Sequence, residues 1–176
     1  MRLCTETNDP GGDLIPSAIQ ERVGSVIAVL STTRGIALPS VVVVLTDDHA
    51  DTLRLGHAGA LLERKLVYIR ETYARSWPEP WLRFVMGHEL AHLELTEQTQ
   101  ALEQRPLDTG PQYLAYLSAW RRVELQCDVR SVHLTGDPDG AIDFFRRGPI
   151  QQHRINRVAS KHPRNQDRIR AINAVA

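Results

Sequence analysis

Residues Phe84–Leu95, with the sequence FVMGHELAHLEL, place two histidines four positions apart and a glutamate directly after the first one. On an α-helix, residues four apart lie on the same face, so His88 and His92 can present ring nitrogens to one ion about 2.0–2.1 Å from each. Glu89 points to one side of that face, where its carboxylate can take a proton from water. The stretch therefore predicts a zinc-binding helix with Glu89 as a general base.

The alternative for this stretch is a solvated amphipathic helix whose histidines lie on the surface. A match to a five-residue pattern of this kind often arises by chance. Four apolar residues surround the motif, however: Val85, Leu90, Ala91 and Leu93. Their positions favour a buried location for the two histidines.

A catalytic zinc site also needs a third protein ligand. Glu94 and Glu97 lie on the histidine helix and cannot close a tetrahedron, and Glu103 follows too closely in the chain. Glu124 lies within a later helix among apolar residues, where an unpaired charge is costly to bury, and Asp128 lies one turn further along the same face. We expect Glu124 to bind zinc and Asp128 to orient a ligand histidine through its other ring N–H. The alternative is that both are exposed and pair with neighbouring arginines.

Composition limits the classes of function. The chain of 176 residues suits one globular domain, and its 21 basic and 21 acidic side chains cancel, so no global field favours nucleic acid as a partner. The longest apolar run near the N-terminus is too short for a membrane span, and it lacks the basic start of a signal peptide. Two cysteines are too few for a disulfide framework. We expect a cytoplasmic protein, with secretion by a signal-less route left open.

The pattern of apolar and turn-forming residues in the rest of the chain predicts an α+β domain with two strands and four or five helices. Residues 1–13 carry turn formers and few large apolar groups, so we expect a flexible N-terminus followed by a single domain over residues 14–176. An amphipathic helix should run from Pro16 to near Gly35. The two predicted strands are a buried one over Ser40–Asp48 and an edge strand over Lys65–Ala74.

Proline and glycine residues mark the bounds of the later helices. The motif helix should begin after Trp77-Pro78, and a long helix should run from Pro111 to a glycine stop at Gly136. A short helix follows in DPDGAIDFFRR, and His162-Pro163 opens the last one. These helices carry all of the candidate zinc residues.

Four segments occur in the order and form of the family M48 metallopeptidases, which include the Ste24 and HtpX membrane proteases and soluble minimal gluzincins. They are HELAH at 88–92, ELQCD at 124–128, DPDGAIDFF at 137–145 and HPRNQDRI at 162–169. The chain is similar to this family mainly over residues 84–174, and more loosely from residue 41. The resemblance implies a zincin-like fold and a soluble gluzincin.

The resemblance also implies roles for individual residues. The zinc ligands would be His88, His92 and Glu124, with Glu89 as general base and Asp128 as the support of a ligand. The chain departs from the family in having no membrane-spanning helices, in carrying Cys127 where alanine is usual, and in lacking the Asn-Ala-Phe start of the segment written here as HAGALLERK. Cys127 itself is expected to be a small buried apolar residue.

The segment HPRNQDR adds two further candidates. The resemblance puts it near the active-site cleft, so His162 or Arg168 could steady a tetrahedral oxyanion. The alternatives are that His162 caps a helix and that Arg168 pairs with an acidic neighbour. A further alternative is a latent form, in which His153 occupies the open position on zinc.

The sequence as a whole predicts a zinc-dependent endopeptidase with Zn²⁺ as cofactor and a peptide or protein as substrate. An extended peptide would add to the edge strand over Leu66–Arg70. The alternative is a non-catalytic or latent zinc-stabilised scaffold of the same fold, which would carry the same five site residues.

Overall fold

A computed structural model describes residues 16–34, 39, 41–103, 110–148 and 160–176. Within these residues the fold is mixed α+β, mostly helical, with one three-stranded sheet. The predicted flexible segment 1–13 and His153 lie outside the described residues.

The elements follow one another in a fixed order along the chain. The first part contains α1 (Ser17–Arg34), β1 (Val41–Leu45), α2 (Asp47–Thr52), β2 (Ala58–Leu61), β3 (Leu66–Arg70) and α3 (Glu71–Ser76). The second part contains α4 (Glu79–Glu94), α5 (Thr96–Glu103), α6 (Pro111–Thr135), α7 (Pro138–Arg147) and α8 (Asn165–Asn173). A 3₁₀ turn at Leu62–Arg64 joins β2 to β3.

The sheet has the strand order β1-β3-β2, with β1 parallel to β3 and β2 antiparallel to it. Tyr68 of β3 therefore lies between Val43 and Gly59. The prediction of an edge strand at Leu66–Arg70 is wrong, because both sides of β3 are hydrogen-bonded to other strands. The two edge strands are β1 and β2. The sequence did not predict β2, because its residues, AGAL, include no β-branched or aromatic side chain.

Both predicted strands are shorter in the structure because short helices begin inside them. After β1, the Thr46 hydroxyl accepts a hydrogen bond from the His49 amide at 3.3 Å, and acidic Asp47 and Asp48 occupy the first turn of α2. A side-chain cap and acidic residues at a helix N-terminus both favour helix over continued strand. The predicted strand over Lys65–Ala74 likewise gives way to α3.

α4 is the helix around which the other elements pack. It contacts α1, both β2 and β3, and the later helices α6 and α7. Its residues Phe84 to His92 are all buried, which fits a helix that is apolar on most of its surface. Phe84 packs against the rings of Phe144 and Phe145 on α7, with centroids 5.5 and 5.3 Å away. This packing places the histidine motif inside the molecule.

α6 runs alongside α4 and also contacts α8. As predicted, it begins at Pro111 and ends before Gly136, whose φ of 66° is the left-handed conformation that glycine adopts most easily. α8 begins at Asn165, slightly later than the predicted His162-Pro163 start. No helix among these described elements is both long and apolar enough to cross a membrane.

Candidate metal centre

α4 presents the two motif histidines on one buried face. His88 and His92 are 7% and 9% exposed, and their Nε2 atoms lie 3.2 Å apart. Two unprotonated ring nitrogens this close would repel each other through their lone pairs, so they need a shared proton or a shared cation. The histidines are therefore arranged as two ligands of one ion would be.

Glu124 reaches the same point from α6. Its buried carboxylate lies with Oε2 3.4 Å from His88 Nε2 and with Oε1 3.5 Å from His92 Nε2. A zinc ion about 2.0–2.2 Å from each of three tetrahedral ligands would hold those ligands about 3.3–3.6 Å apart. The two carboxylate separations are close to that spacing, although they involve different oxygens of Glu124. One ligand atom from each residue lies within 4.8 Å of the other two, so these three residues could hold a metal ion. Two imidazoles and one carboxylate are a ligand set that suits zinc.

The close approach of α4 and α6 depends on Gly87. A Cβ atom at this position would lie 2.6 Å from Ser131 Oγ, which is too close for any real contact. The same Ser131 hydroxyl donates to the Phe84 carbonyl at 2.6 Å, so it is held in place between the helices. A residue without a side chain at position 87 allows the spacing that brings Glu124 to the histidines.

Asp128 lies behind His88, on the ring side opposite Nε2. Its Oδ1 accepts a hydrogen bond from His88 Nδ1 at 2.9 Å, and because a carboxylate can only accept, the ring proton must be on Nδ1. In the neutral ring, His88 Nε2 is then left as an electron-pair donor. Arg168 in turn donates from Nε and Nη2 to the two oxygens of Asp128, both at 2.6 Å. Asp128 therefore fixes the orientation of the His88 ring, and its role as the support of a zinc ligand stays a prediction.

His162 and Arg168, for which the sequence left an oxyanion role and a structural role open, both contact carboxylates. His162 Nδ1 donates to Glu124 Oε2 at 2.8 Å, although the His162 side chain is 59% exposed. This contact differs from the predicted helix cap. Arg168 makes the predicted alternative contact, an ion pair with an acidic neighbour, and its guanidinium lies behind His88. An oxyanion role remains a prediction for His162, whereas the contacts of Arg168 are those of a residue that holds Asp128.

The short segment that carries His162 is attached to α6 at neighbouring points. Arg121 donates from Nε and Nη2 to the Ser160 carbonyl at 3.2 and 3.1 Å. The ammonium group of Lys161 lies 4.5 Å from the centroid of the Trp120 ring, within the range of a cation–π interaction. These contacts hold His162 beside Glu124.

The buried charges shift the pKa values of the site. Burial lowers the pKa of His88, but hydrogen bonds to Asp128 and Glu124 outweigh burial and raise it to about 10. Burial acts to raise the pKa of Glu124, but hydrogen bonds led by that of His162 hold it well below its usual range. The charge of Arg168 likewise holds the pKa of Asp128 below its usual value against the effect of burial. In the metal-free protein a proton on His88 thus balances the carboxylates, and a bound cation would displace that proton.

Glu89 lies beside the histidines with its side chain 9% exposed. Its carboxylate makes no hydrogen bond or ion pair to another described residue. The charge of Glu89 also reaches Tyr68 on β3. Burial raises the pKa of Tyr68, and the negative charge of Glu89 raises it further. A carboxylate without a hydrogen-bonding partner can accept a proton, and the role of Glu89 as general base stays a prediction.

Sequence reasoning missed the contacts of two residues near the site. Cys127 Sγ lies 3.4 Å from His92 Nδ1, and its position three residues after Glu124 was the signal that could have placed it on the site face of α6. The Tyr68 side chain covers Gly59 on the neighbouring strand. A Cβ atom added to Gly59 would lie 2.5 Å from the Tyr68 hydroxyl. No sequence signal predicted this cross-strand contact, because β2 itself was not predicted.

Comparison with known proteins gives no independent identification. No protein-family model, no curated protein and no solved structure matches the chain. Any function for the His88, His92 and Glu124 cluster must therefore be argued from its chemistry.

Proposed function

We propose that the protein is a zinc-dependent endopeptidase with a zincin-like fold, of the soluble gluzincin type that the sequence motifs resemble. The observation that carries the proposal is the convergence of His88 Nε2, His92 Nε2 and the Glu124 carboxylate on one point. Glu89, the residue after His88, makes no hydrogen bond or ion pair to another described residue. Three protein ligands leave a fourth position open, which is typical of catalytic zinc sites rather than structural ones.

In the proposed reaction, one residue of the chain transfers the proton and the others hold the zinc ligands in place. Zinc at such a site supplies Lewis acidity, which polarises a peptide carbonyl and makes water more acidic. The Glu89 carboxylate accepts the proton of the attacking water and later gives it to the leaving amine nitrogen. Asp128, held by Arg168, keeps His88 in the tautomer with Nε2 free, and His162 holds Glu124 in place through Nδ1.

An extended peptide is the substrate form that the sheet favours. β2 pairs with β3 along one side only, and no other described strand pairs with its second side. A free strand edge binds an extended peptide through main-chain hydrogen bonds, which recognise any sequence. β2 also contacts α4, the helix that carries the histidine motif. The strand that would bind the substrate is therefore Ala58–Leu61 and not Leu66–Arg70.

A second candidate function is a zinc-stabilised scaffold or a latent form of the same enzyme. The observation that favours it is burial, because His88, Glu89, His92 and Glu124 are each no more than 9% exposed. A substrate must reach the open position on zinc, and a closed site would bind the ion without turnover. The two functions differ in the consequence of removing the general base.

The test compares wild type with Glu89→Gln, using the full chain loaded with zinc. The substitution removes the base and keeps the three ligands, so zinc content and melting temperature should hardly change, while cleavage of a diverse unfolded-peptide pool falls about 100- to 10,000-fold. Glu97→Gln is the matched control, because Glu97 is an exposed glutamate on α5. Equal cleavage by wild type and Glu89→Gln, or none by either, would favour the scaffold or latent form.

A further inference from the structure

The two histidines of the metal centre have different partners behind their rings. His88 Nδ1 donates to the Asp128 carboxylate, whereas His92 Nδ1 faces the Cys127 sulfur at 3.4 Å. Cys127 is completely buried, and it lies between Glu124 and Asp128 along α6. The thiol is therefore placed where a second orienting group for a ligand would be expected.

The direction of this contact follows from the tautomer of His92. When Nε2 binds a cation, the neutral ring must carry its proton on Nδ1, so Nδ1–H donates and the sulfur accepts. The sulfur lies on the Nδ1 side of the ring and is not placed as a ligand of the same ion.

We propose that Cys127 is a positioning residue for His92, holding its ring by a Nδ1–H to Sγ hydrogen bond so that Nε2 points at the metal. This inference rests on the metal centre proposed above. An uncharged acceptor suits this position because Glu124, Glu89 and Asp128 already place three buried carboxylates around it. A further buried carboxylate would be repelled by all three.

Three substitutions separate hydrogen bonding from packing at position 127. Cys127→Ser keeps an acceptor, Cys127→Val keeps an apolar side chain of similar size without an acceptor, and Cys127→Ala removes both. We expect the zinc dissociation constant to rise about tenfold in the Val and Ala variants and to stay within about threefold of wild type in the Ser variant. Titration of the full chain with zinc against a chelating indicator measures these constants.

A spectroscopic measurement reports the hydrogen bond directly. Long-range ¹H–¹⁵N spectra of the zinc-loaded protein should show the His92 ring protonated at Nδ1. The Nδ1–H signal should move in the Val and Ala variants more than in the Ser variant. A packing role alone would leave that signal in place. The Ala variant keeps the test possible if the branched Val side chain prevents folding.

Each contrary result identifies the proposal that it overturns. Wild-type zinc affinity in the Val and Ala variants, or an equal loss in the Ser and Val variants, would overturn the role of Cys127 and leave the metal centre standing. A sulfur-to-metal charge-transfer band in the cobalt-loaded wild type that disappears in Cys127→Val would show that Cys127 is itself a ligand. Absence of metal binding by wild type would instead overturn the metal centre, whatever the variants do.

Discussion

At the scale of single residues, Glu124 and Asp128 are carboxylates one turn apart on α6 that contact opposite sides of His88. Glu124 lies 3.4 Å from Nε2, where a metal would bind, whereas Asp128 accepts from Nδ1 and pairs with Arg168. Removing the Glu124 carboxylate should therefore affect mainly the binding of the ion. Removing the Asp128 carboxylate should affect mainly the stability of the fold.

We predict that Glu124→Ala weakens zinc binding more than Asp128→Asn does, because only Glu124 contributes a ligand atom. Loss of an orienting partner such as Asp128 lowers affinity about 10- to 100-fold. Zinc titration of both variants against a chelating indicator gives the order. A larger loss for Asp128→Asn would show that the third ligand is wrongly assigned.

For the stability of the metal-free protein we predict that Asp128→Asn is strongly destabilising, because it removes the hydrogen-bonded counter-charge of the buried Arg168 guanidinium and leaves only Glu124, whose Oε2 is 3.8 Å from Nη2. Removing one partner of a buried ion pair costs about 3–5 kcal/mol. Denaturant unfolding measures this free energy, and the double variant Asp128→Asn/Arg168→Met should recover part of it. If the double variant is no more stable than the single one, the unpaired charge is not the cause.

At the scale of elements, the distance between α4 and α6 decides whether the three ligand atoms meet. Gly87→Ala should push the helices apart at Ser131, destabilise the fold by about 1–3 kcal/mol and weaken zinc binding. Ser131→Ala removes the hydroxyl that the new methyl group would meet, so Gly87→Ala/Ser131→Ala should be less destabilised than the two single effects added together. Unfolding of all four proteins gives the coupling, and simple additivity would contradict this account of the helix spacing.

At the scale of the whole molecule, a bound metal joins α4 to α6 and stabilises the folded state alone. At free zinc about 100 times above the dissociation constant, the gain is about 2.7 kcal/mol. We predict that a chelator lowers the melting temperature by about 5–11 °C, since about 2–4 °C corresponds to 1 kcal/mol at this chain length. His92→Ala, which lacks one ligand, is the control and should melt at nearly the same temperature with and without chelator.

The metal-free molecule should also lose stability as the pH rises. The folded-state pKa of His88 is about 10, above the ordinary value of 6.5, so the protonated ring stabilises the fold fully below about pH 6.5. That contribution declines as the pH rises through 10, while zinc affinity increases because the ion competes with the same proton. Unfolding of wild type and His88→Gln from pH 6 to pH 10 tests this, and a parallel decline in both proteins would contradict it.

The sequence by itself determined what depends on spacing within one helix. The four-residue interval of His88 and His92 puts both rings on one face, and the same interval puts Glu124 and Asp128 on one face of α6. Apolar neighbours then require these polar groups to be buried with partners. The long helix from Pro111 to Gly136 was predicted for a similarly local reason, since proline and glycine mark helix ends.

Only the tertiary structure decided what depends on contacts between distant parts of the chain. The pairing of Arg168 with Asp128 and of His162 with Glu124 spans about forty residues in each case, and no local pattern encodes such a partner. Strand order is likewise non-local, so β3 proved to be central and the small residues of β2 formed one of the two edges. The meeting of the three candidate ligand atoms required α6 to pack against α4 at Gly87, because helix propensity sets the faces of two helices but not the distance between them.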